Sequence, residues 1–283
     1  MKITNAIGIF DSGVGGLTVF REIRKKYKHN DIIYFGDTAR VPYGPKSKET
    51  IIEYSLQNTH FLLQQNVQVI VVACNTSSAL AIDALKDITN IPILGVIEAG
   101  AETAISLTEN GQIGVIGTEG TIKSHAYQKA IHSINKDIIV HEKACPLFVP
   151  LSEEGWIDND VTKRVAEIYL ENLIKQGIDT LVLGCTHYPI LKKIIKEVCG
   201  NQIALVDSAK AILSHLSKLR VGKGELEVRH HNPHSQLRKV GTNYFFVSDN
   251  EEKFTKIARD ILGIKEFNLQ KVSFCKSWFP EKR

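Results

Sequence analysis

The 283-residue chain contains no CxxC pair and no HExxH, so neither a structural zinc site nor zincin chemistry is expected of it. It has no GxxxxGK[ST], and its one glycine-rich turn, "DSGVGG", is not GxGxxG, which leaves nucleotide binding weakly supported. No apolar run approaches the roughly 18 residues of a membrane span. The opening "MKITNAIGIFDSG" lacks the basic, apolar and small-residue regions of an export signal. Five cysteines, an odd number, lie far apart. That usage predicts reduced thiols and a cytoplasmic location rather than a disulfide framework.

What is present describes a soluble globular protein, with 43% hydrophobic and 23% charged residues. The length holds one large domain or two of ordinary size. The net charge of +4 is concentrated in residues 210–240, where seven Lys/Arg face only Glu225 and Glu227. No aromatic residues interleave there for base stacking, so a solvated face is expected and nucleic acid is not expected as a partner. "HHNPH" (His230 to His234) sits in a polar stretch and reads as an exposed loop rather than a chelator. A membrane, a metal and a cofactor are likewise not expected.

Short β-branched runs alternate with helix-like segments, the pattern of parallel α/β architecture. Strands are predicted at Ala6–Phe10, Asp31–Phe35, Val67–Ala73, Ile91–Val96, Ile113–Ile116, Asp137–Val140, Thr180–Leu183, Ile203–Val206 and Tyr244–Val247. Most are apolar on both sides, as strands covered on both faces should be. Helices are predicted at Lys48–Gln65, at Val161–Gln176 and around Phe254–Leu262, the last capped by Ser248 or Asp249 and ended by Gly263.

The order of these elements repeats. "IGIFDSG" is echoed by "IGVIGTEG" and "DIIYFGD" by "DIIVHEKA", both 106 residues on. "VPYG" returns as "VPLSEEG" after 108 residues, "VIVVACNTS" as "TLVLGCTHY" after 111, and "IPILGV" as "IALVDS" after 112. Five matches in one order imply two similar α/β lobes facing across a cleft. The expected division is residues 1–97 with 208–283, and residues 98–207.

Alone, Cys74 or Cys185 would read as a small core residue. The repeat changes this, because both now stand at equivalent strand ends, where ligands of open α/β sheets bind. Each precedes a helix-like segment, whose N-terminus lowers a thiol pKa, and His187 lies two residues beyond Cys185. The helix starts, with Asn75, Thr76 and Thr186, make a site for a carboxylate. "DSGVGG" adds Asp11 and Ser12 beside a turn that admits close backbone approach, and "VPYG" presents Tyr43 and a backbone N–H. Two thiols on opposite faces of one carbon suit inversion of configuration: one removes the α-proton and the other returns a proton.

At these residues the sequence resembles the glutamate racemases of the aspartate/glutamate racemase superfamily. The likeness rests on "GIFDSGVGGLTVFREI", "YFGDTARVPYGPKS", "ACNTSSALAID", "GVIGTEGTIKS", "CPLFVPLSEEG" and "LVLGCTHYPIL", and resumes at "YFFVSDNEEKFTKIARDILG". The resemblance implies interconversion of L- and D-glutamate without a cofactor, supplying D-glutamate for peptidoglycan. It implies that Cys74 acts on the D-enantiomer with help from Asp11, and Cys185 on the L-enantiomer with help from His187 and Glu153. It further implies substrate contacts from Ser12, Tyr43, Gly44, Asn75, Thr76, Thr118, Thr121 and Thr186, with a homodimer as the candidate assembly. Cys145, Cys199 and Cys275 match no catalytic position. The residues alone leave other readings open: a related racemase or isomerase acting on aspartate, a hydantoin or maleate; a two-lobed binding protein for a dicarboxylate; or a redox switch joining Cys74 to Cys185.

Overall fold

A computed structural model describes residues 6–221, 224–225, 240–264 and 266–273. The "HHNPH" stretch, most of the basic segment and Cys275 lie outside the described residues.

The chain runs β1 (Ala6–Asp11), α1 (Leu17–Lys26), β2 (Ile32–Gly36), α2 (Lys48–Gln64), β3 (Val67–Val72), α3 (Asn75–Leu80), α4 (Ile82–Lys86) and β4 (Ile93–Gly95). Helix α5 (Val96–Leu107) crosses to a second series. That series is β5 (Gln112–Gly117), α6 (Glu119–Lys123), α7 (Ala126–Ile134), β6 (Ile139–Ala144), α8 (Phe148–Glu153), α9 (Asp160–Lys175), β7 (Thr180–Gly184), α10 (Lys192–Cys199) and β8 (Ala204–Asp207). Helix α11 (Ser208–Lys218) leads back. A short antiparallel pair follows, β9 (Arg220–Val221) with β10 (Gly224–Glu225), and then β11 (Asn243–Val247), α12 (Glu251–Leu262) and β12 (Leu269–Lys271).

Two parallel sheets result. One has the order β12-β11-β2-β1-β3-β4 and the other β6-β5-β7-β8. The repeat read from the sequence is a repeat of topology, because β2-β1-β3-β4 and β6-β5-β7-β8 are the same arrangement. Strand β11 adds to the edge of the first sheet, paired in parallel with β2 from Asn243↔Ile32 to Val247↔Gly36. Each sheet is covered on both faces. The first packs α1, α11 and α12 on one side around Ile9, Phe20, Tyr34 and Ile212, and α2 and α4 on the other around Phe10, Phe35, Phe61 and Leu85. The second packs α9 and α10 on one side and α5 and α7 on the other. This double covering is why the central strands read as unbroken apolar runs.

Edges are where the predicted spans fail. Strand β6 begins at Ile139, two residues later than expected, and continues through the polar His141–Glu142–Lys143, because an edge strand keeps much of its surface in water. Strand β12 escapes prediction altogether: three residues, Leu-Gln-Lys, carry too little pattern. Helix α12 is capped by neither Ser248 nor Asp249. Asn250, in a left-handed conformation, accepts from the Lys253 N–H, while Gly263 at φ 67° ends the helix as expected. Ser248 instead donates to Asp37 Oδ1 at 2.8 Å. Among the described residues, no helix is long and apolar enough to cross a membrane, and no His/Cys/Asp/Glu group is disposed to hold a metal.

Candidate active site

The two sheets present the C-terminal ends of β1, β3, β5 and β7 to one region, as parallel sheets direct their ligand-bearing loops. Cys74 follows β3 and Cys185 follows β7; both are free, each is 5% exposed, and Cys74 senses the charge of Cys185. The helices that follow are shorter than the sequence predicts. The segment after Cys74 breaks at Ala81 into α3 and α4, and Cys185 leads into a 3-10 turn, Tyr188–Leu191, before α10. A long helix dipole is therefore missing at both thiols. Nearby side chains and local N–H groups set their chemistry instead.

On the Cys74 side, β1 ends in Asp11, which is fully buried. Its Oδ2 accepts from the Gly13 and Gly16 N–H groups at 3.0 Å each, and its Oδ1 accepts from Thr186 Oγ1 at 3.4 Å. Burial raises the carboxyl's proton affinity, against the pull of His187 and these N–H donors. Burial first, and then the Asp11 charge, push the Cys74 thiol up to about 11, while hydrogen bonding from Ser77 opposes them. Cys74 is thus held protonated, the form a proton donor requires.

On the Cys185 side, Sγ lies 3.9 Å from His187 Nδ1. The other ring nitrogen, Nε2, lies 3.3 Å from Glu153 Oε1, a charge contact without hydrogen-bond alignment. Burial alone would push the imidazole down, but Cys185, Glu153 and Asp11 outweigh it and raise His187 to about 10. For Glu153, burial is overcome by His187 and Lys253, which bring the carboxyl down to about 2. A cationic His187 thus stands beside the Cys185 sulfur, placed to exchange a proton with it.

The remaining candidates fall into two groups. Thr76, Thr118 and Thr121 form one hydroxyl cluster across the lobes, with Oγ1 separations of 2.9 Å (Thr76–Thr118), 3.0 Å (Thr118–Thr121) and 3.4 Å (Thr76–Thr121). Asn75 accepts from the Tyr127 hydroxyl at 2.7 Å, which leaves its buried Nδ2 without a partner. A buried donor without a partner costs about 1–3 kcal/mol, so it marks where an acceptor such as a carboxylate belongs. Ser12 is buried in the turn after β1, and the Gly44 carbonyl accepts from the Gly120 N–H at 2.9 Å across the lobes. Tyr43 contributes differently. Its hydroxyl is turned inward, donating to Asp37 and accepting from Asn58 Nδ2 at 3.0 Å, so only its backbone is left for a ligand.

A cavity of about 340 Å³ opens beside these groups, lined by Val41, Pro42 and Gly44 on one side and by Val149, Pro150 and Glu153 on the other. These are the echoed "VPYG" and "VPLSEEG" segments, now facing each other. Sequence reasoning missed Tyr127, which orients Asn75, and Lys253, which donates to Glu153 Oε2 at 2.8 Å. Each lies in the first turn of a helix, where nothing in the sequence marks a long-range contact. It also missed Gly15, whose hydrogen faces the site: a Cβ there would come within 2.4 Å of Thr186 Oγ1 and 2.6 Å of His187 Nδ1. Gly15→Ala is therefore expected to fold yet displace His187 and lower kcat about 100-fold, the scale of an ångström-sized misplacement, as steady-state kinetics beside a melting curve would show.

Comparison with known proteins identifies the family. The Asp/Glu/Hydantoin racemase family model matches residues 12–216. The glutamate racemase of Geobacter metallireducens is 51% identical over 268 residues, 95% of this chain and 96% of the relative. That of Sulfurihydrogenibium sp. is 46% identical over 271 residues, covering 95% and 98%. Among solved structures, a Bacillus anthracis glutamate racemase superposes with a TM-score of 0.85 at 37% identity, covering 95% of this chain and 97% of that one. The Francisella tularensis enzyme, solved in complex with D-glutamate, gives 0.83 at 36% identity, covering 95% and 97%. With a family model spanning most of the chain and near relatives matched end to end, this protein belongs to the Asp/Glu/Hydantoin racemase family, among its glutamate racemases.

Proposed function

We propose that the protein interconverts L- and D-glutamate by a two-thiol acid/base reaction without a cofactor. The observation that carries this reading is the pairing of two buried thiols at equivalent strand ends, each with its own proton partner: Asp11 for Cys74 and His187 with Glu153 for Cys185. With L-glutamate bound, the Cys185 thiolate takes the α-proton, with His187 beside it as its proton partner. The Cys74 thiol then donates from the opposite face to give the D-enantiomer. In reverse, Cys74 is the base, and Asp11, its proton affinity raised by burial, accepts the proton that Cys74 must first lose.

Charge accumulating on the substrate carboxylate in the carbanion-like transition state needs fixed donors. The unpartnered Asn75 Nδ2 and the hydroxyls of Thr76, Thr118, Thr121 and Thr186 are the groups we assign to the substrate's two carboxylates, with Ser12 and the Tyr43–Gly44 backbone completing the contacts. For the domain division we propose residues 1–97 with 208–283 as one lobe and 98–207 as the other, supported by the β11–β2 pairing and the crossings at α5 and α11. Supply of D-glutamate to peptidoglycan in the cytoplasm is the role this activity fits.

The test is incubation of the purified protein with L-glutamate in D2O, with reductant and no added cofactor. The expected result is deuterium at the α-carbon together with convergence on zero optical rotation. Deuteration with retained configuration would leave one thiol working alone and overturn the two-base scheme. Exchange on aspartate but not on glutamate would move the substrate, and binding without any exchange would make this a binding protein.

A further inference from the structure

One charge beside the site has no part in the two-thiol reaction. Lys253, in the first turn of α12, packs with the first sheet, yet its ammonium reaches α8 of the second and donates to Glu153 Oε2 at 2.8 Å. The other oxygen of the same carboxylate, Oε1, lies 3.3 Å from His187 Nε2, and the far ring nitrogen lies 3.9 Å from Cys185 Sγ. Four groups therefore stand in a row from solvent to thiol, alternating in charge when the thiol is ionised: ammonium, carboxylate, imidazolium, thiolate. Glu153 lines the cavity and its side chain is 14% exposed, so a carboxylate released by Lys253 can swing away from the histidine.

We propose that Lys253 is a positioning residue for the Cys185 half of the site: it reaches across the cleft, pins one oxygen of Glu153, and thereby holds the other against His187. This rests on the two-thiol reading. The charges that face the row are few. Cys185, Glu153 and Asp11 face His187; His187 and Lys253 face Glu153; Glu153 and Glu154 face Lys253. With Lys253 present the row is neutral when the thiol is ionised. Without it the row carries one net negative charge, which disfavours a further anion at Cys185. Glu153 then also loses the contact that aims it. Because the lysine and the glutamate belong to different lobes, the link exists only when α12 and α8 are brought together, so lobe closure and readiness of the thiol go together.

An ornamental ion pair would behave differently. Lys253 is about half exposed at 47%, and such pairs contribute at most about 1 kcal/mol to stability, with no effect confined to one thiol. The test uses the full chain as wild type, Lys253→Met, Lys253→Arg and, as a charge control on the same helix, Lys256→Met. Steady-state kinetics are measured in both directions, and the rates at which Cys74 and Cys185 are alkylated by iodoacetamide are followed at one pH by peptide mass spectrometry.

Lys253→Met is expected to lower kcat about fivefold with little change in KM, the rate equivalent of a pair of this exposure. It should slow alkylation of Cys185 by a similar factor and leave Cys74 unchanged. Lys253→Arg should restore both, and Lys256→Met should match the wild type. Wild-type kcat in Lys253→Met, equal slowing of both thiols, or a lower kcat with unchanged Cys185 alkylation would each overturn the proposal. If the wild type itself fails to exchange the α-proton, the two-thiol reading falls and this falls with it. If the wild type racemises and Lys253→Met does so at full rate, only this inference fails.

Discussion

Cys74→Ala and Cys185→Ala are each expected to abolish racemisation in both directions, with kcat lower by about a thousandfold or more, in a protein that remains folded. The size follows from the loss of a general acid or base acting in the transition state. The symmetry follows from the reaction. Every turnover needs a base on one face and an acid on the other, so removing either thiol removes one step of each direction. The equilibrium constant between enantiomers is one, so kcat/KM must fall equally whichever enantiomer is supplied. The fold should persist because each thiol is a small buried group at a strand end, and alanine leaves the pairing of β3 with β1 and of β7 with β5 intact. Chiral chromatography of the products, beside a melting curve, checks both parts. A Cys185→Ala variant that racemises at near the wild-type rate would mean the second base is another group.

Asp11→Asn should separate reactivity from activity at Cys74. Asparagine can present its carbonyl oxygen to the Gly13 and Gly16 N–H groups that now bond Oδ2, so the turn after β1 is kept. What disappears is a buried negative charge. Burial is the first cause of the raised Cys74 value of about 11, and the Asp11 charge is the second. Removing a neighbouring anion favours a thiolate, so at a fixed pH the Cys74 of Asp11→Asn should react faster with iodoacetamide than that of the wild type. Racemisation should nevertheless fall about 100-fold, because the group that relays the Cys74 proton is gone. Faster alkylation with slower turnover is an outcome that simple misfolding does not produce. Unchanged Cys74 alkylation would show that the two groups are not coupled.

The sequence by itself determined the architecture and set two strand-end cysteines apart from the other three. Strands buried on both faces must be apolar throughout, so β1, β3, β5 and β7 are legible as runs, and a duplicated lobe repeats its order of runs. The same duplication singled out Cys74 and Cys185, which no single-lobe reading could have distinguished from core cysteines. Local chemistry also carried through where it depends on neighbours in the chain: Gly263 ends α12 because only its own φ of 67° is at stake.

Tertiary structure decided what depends on distance across the cleft. That Tyr127 orients Asn75, that Gly15 must lack a side chain to admit His187, and that Lys253 holds Glu153 are contacts between residues 52, 172 and 100 positions apart. Tyr43 shows the converse. Its place in the "VPYG" turn presents the residue and a backbone N–H, and chain order gives no sign that Asp37 and Asn58 claim the hydroxyl. A hydrogen bond acts over about 3 Å, and chain order places only near neighbours within that reach. Which strand ends meet is written in the pattern of runs; which hydroxyl faces which carboxylate is set by how two lobes close.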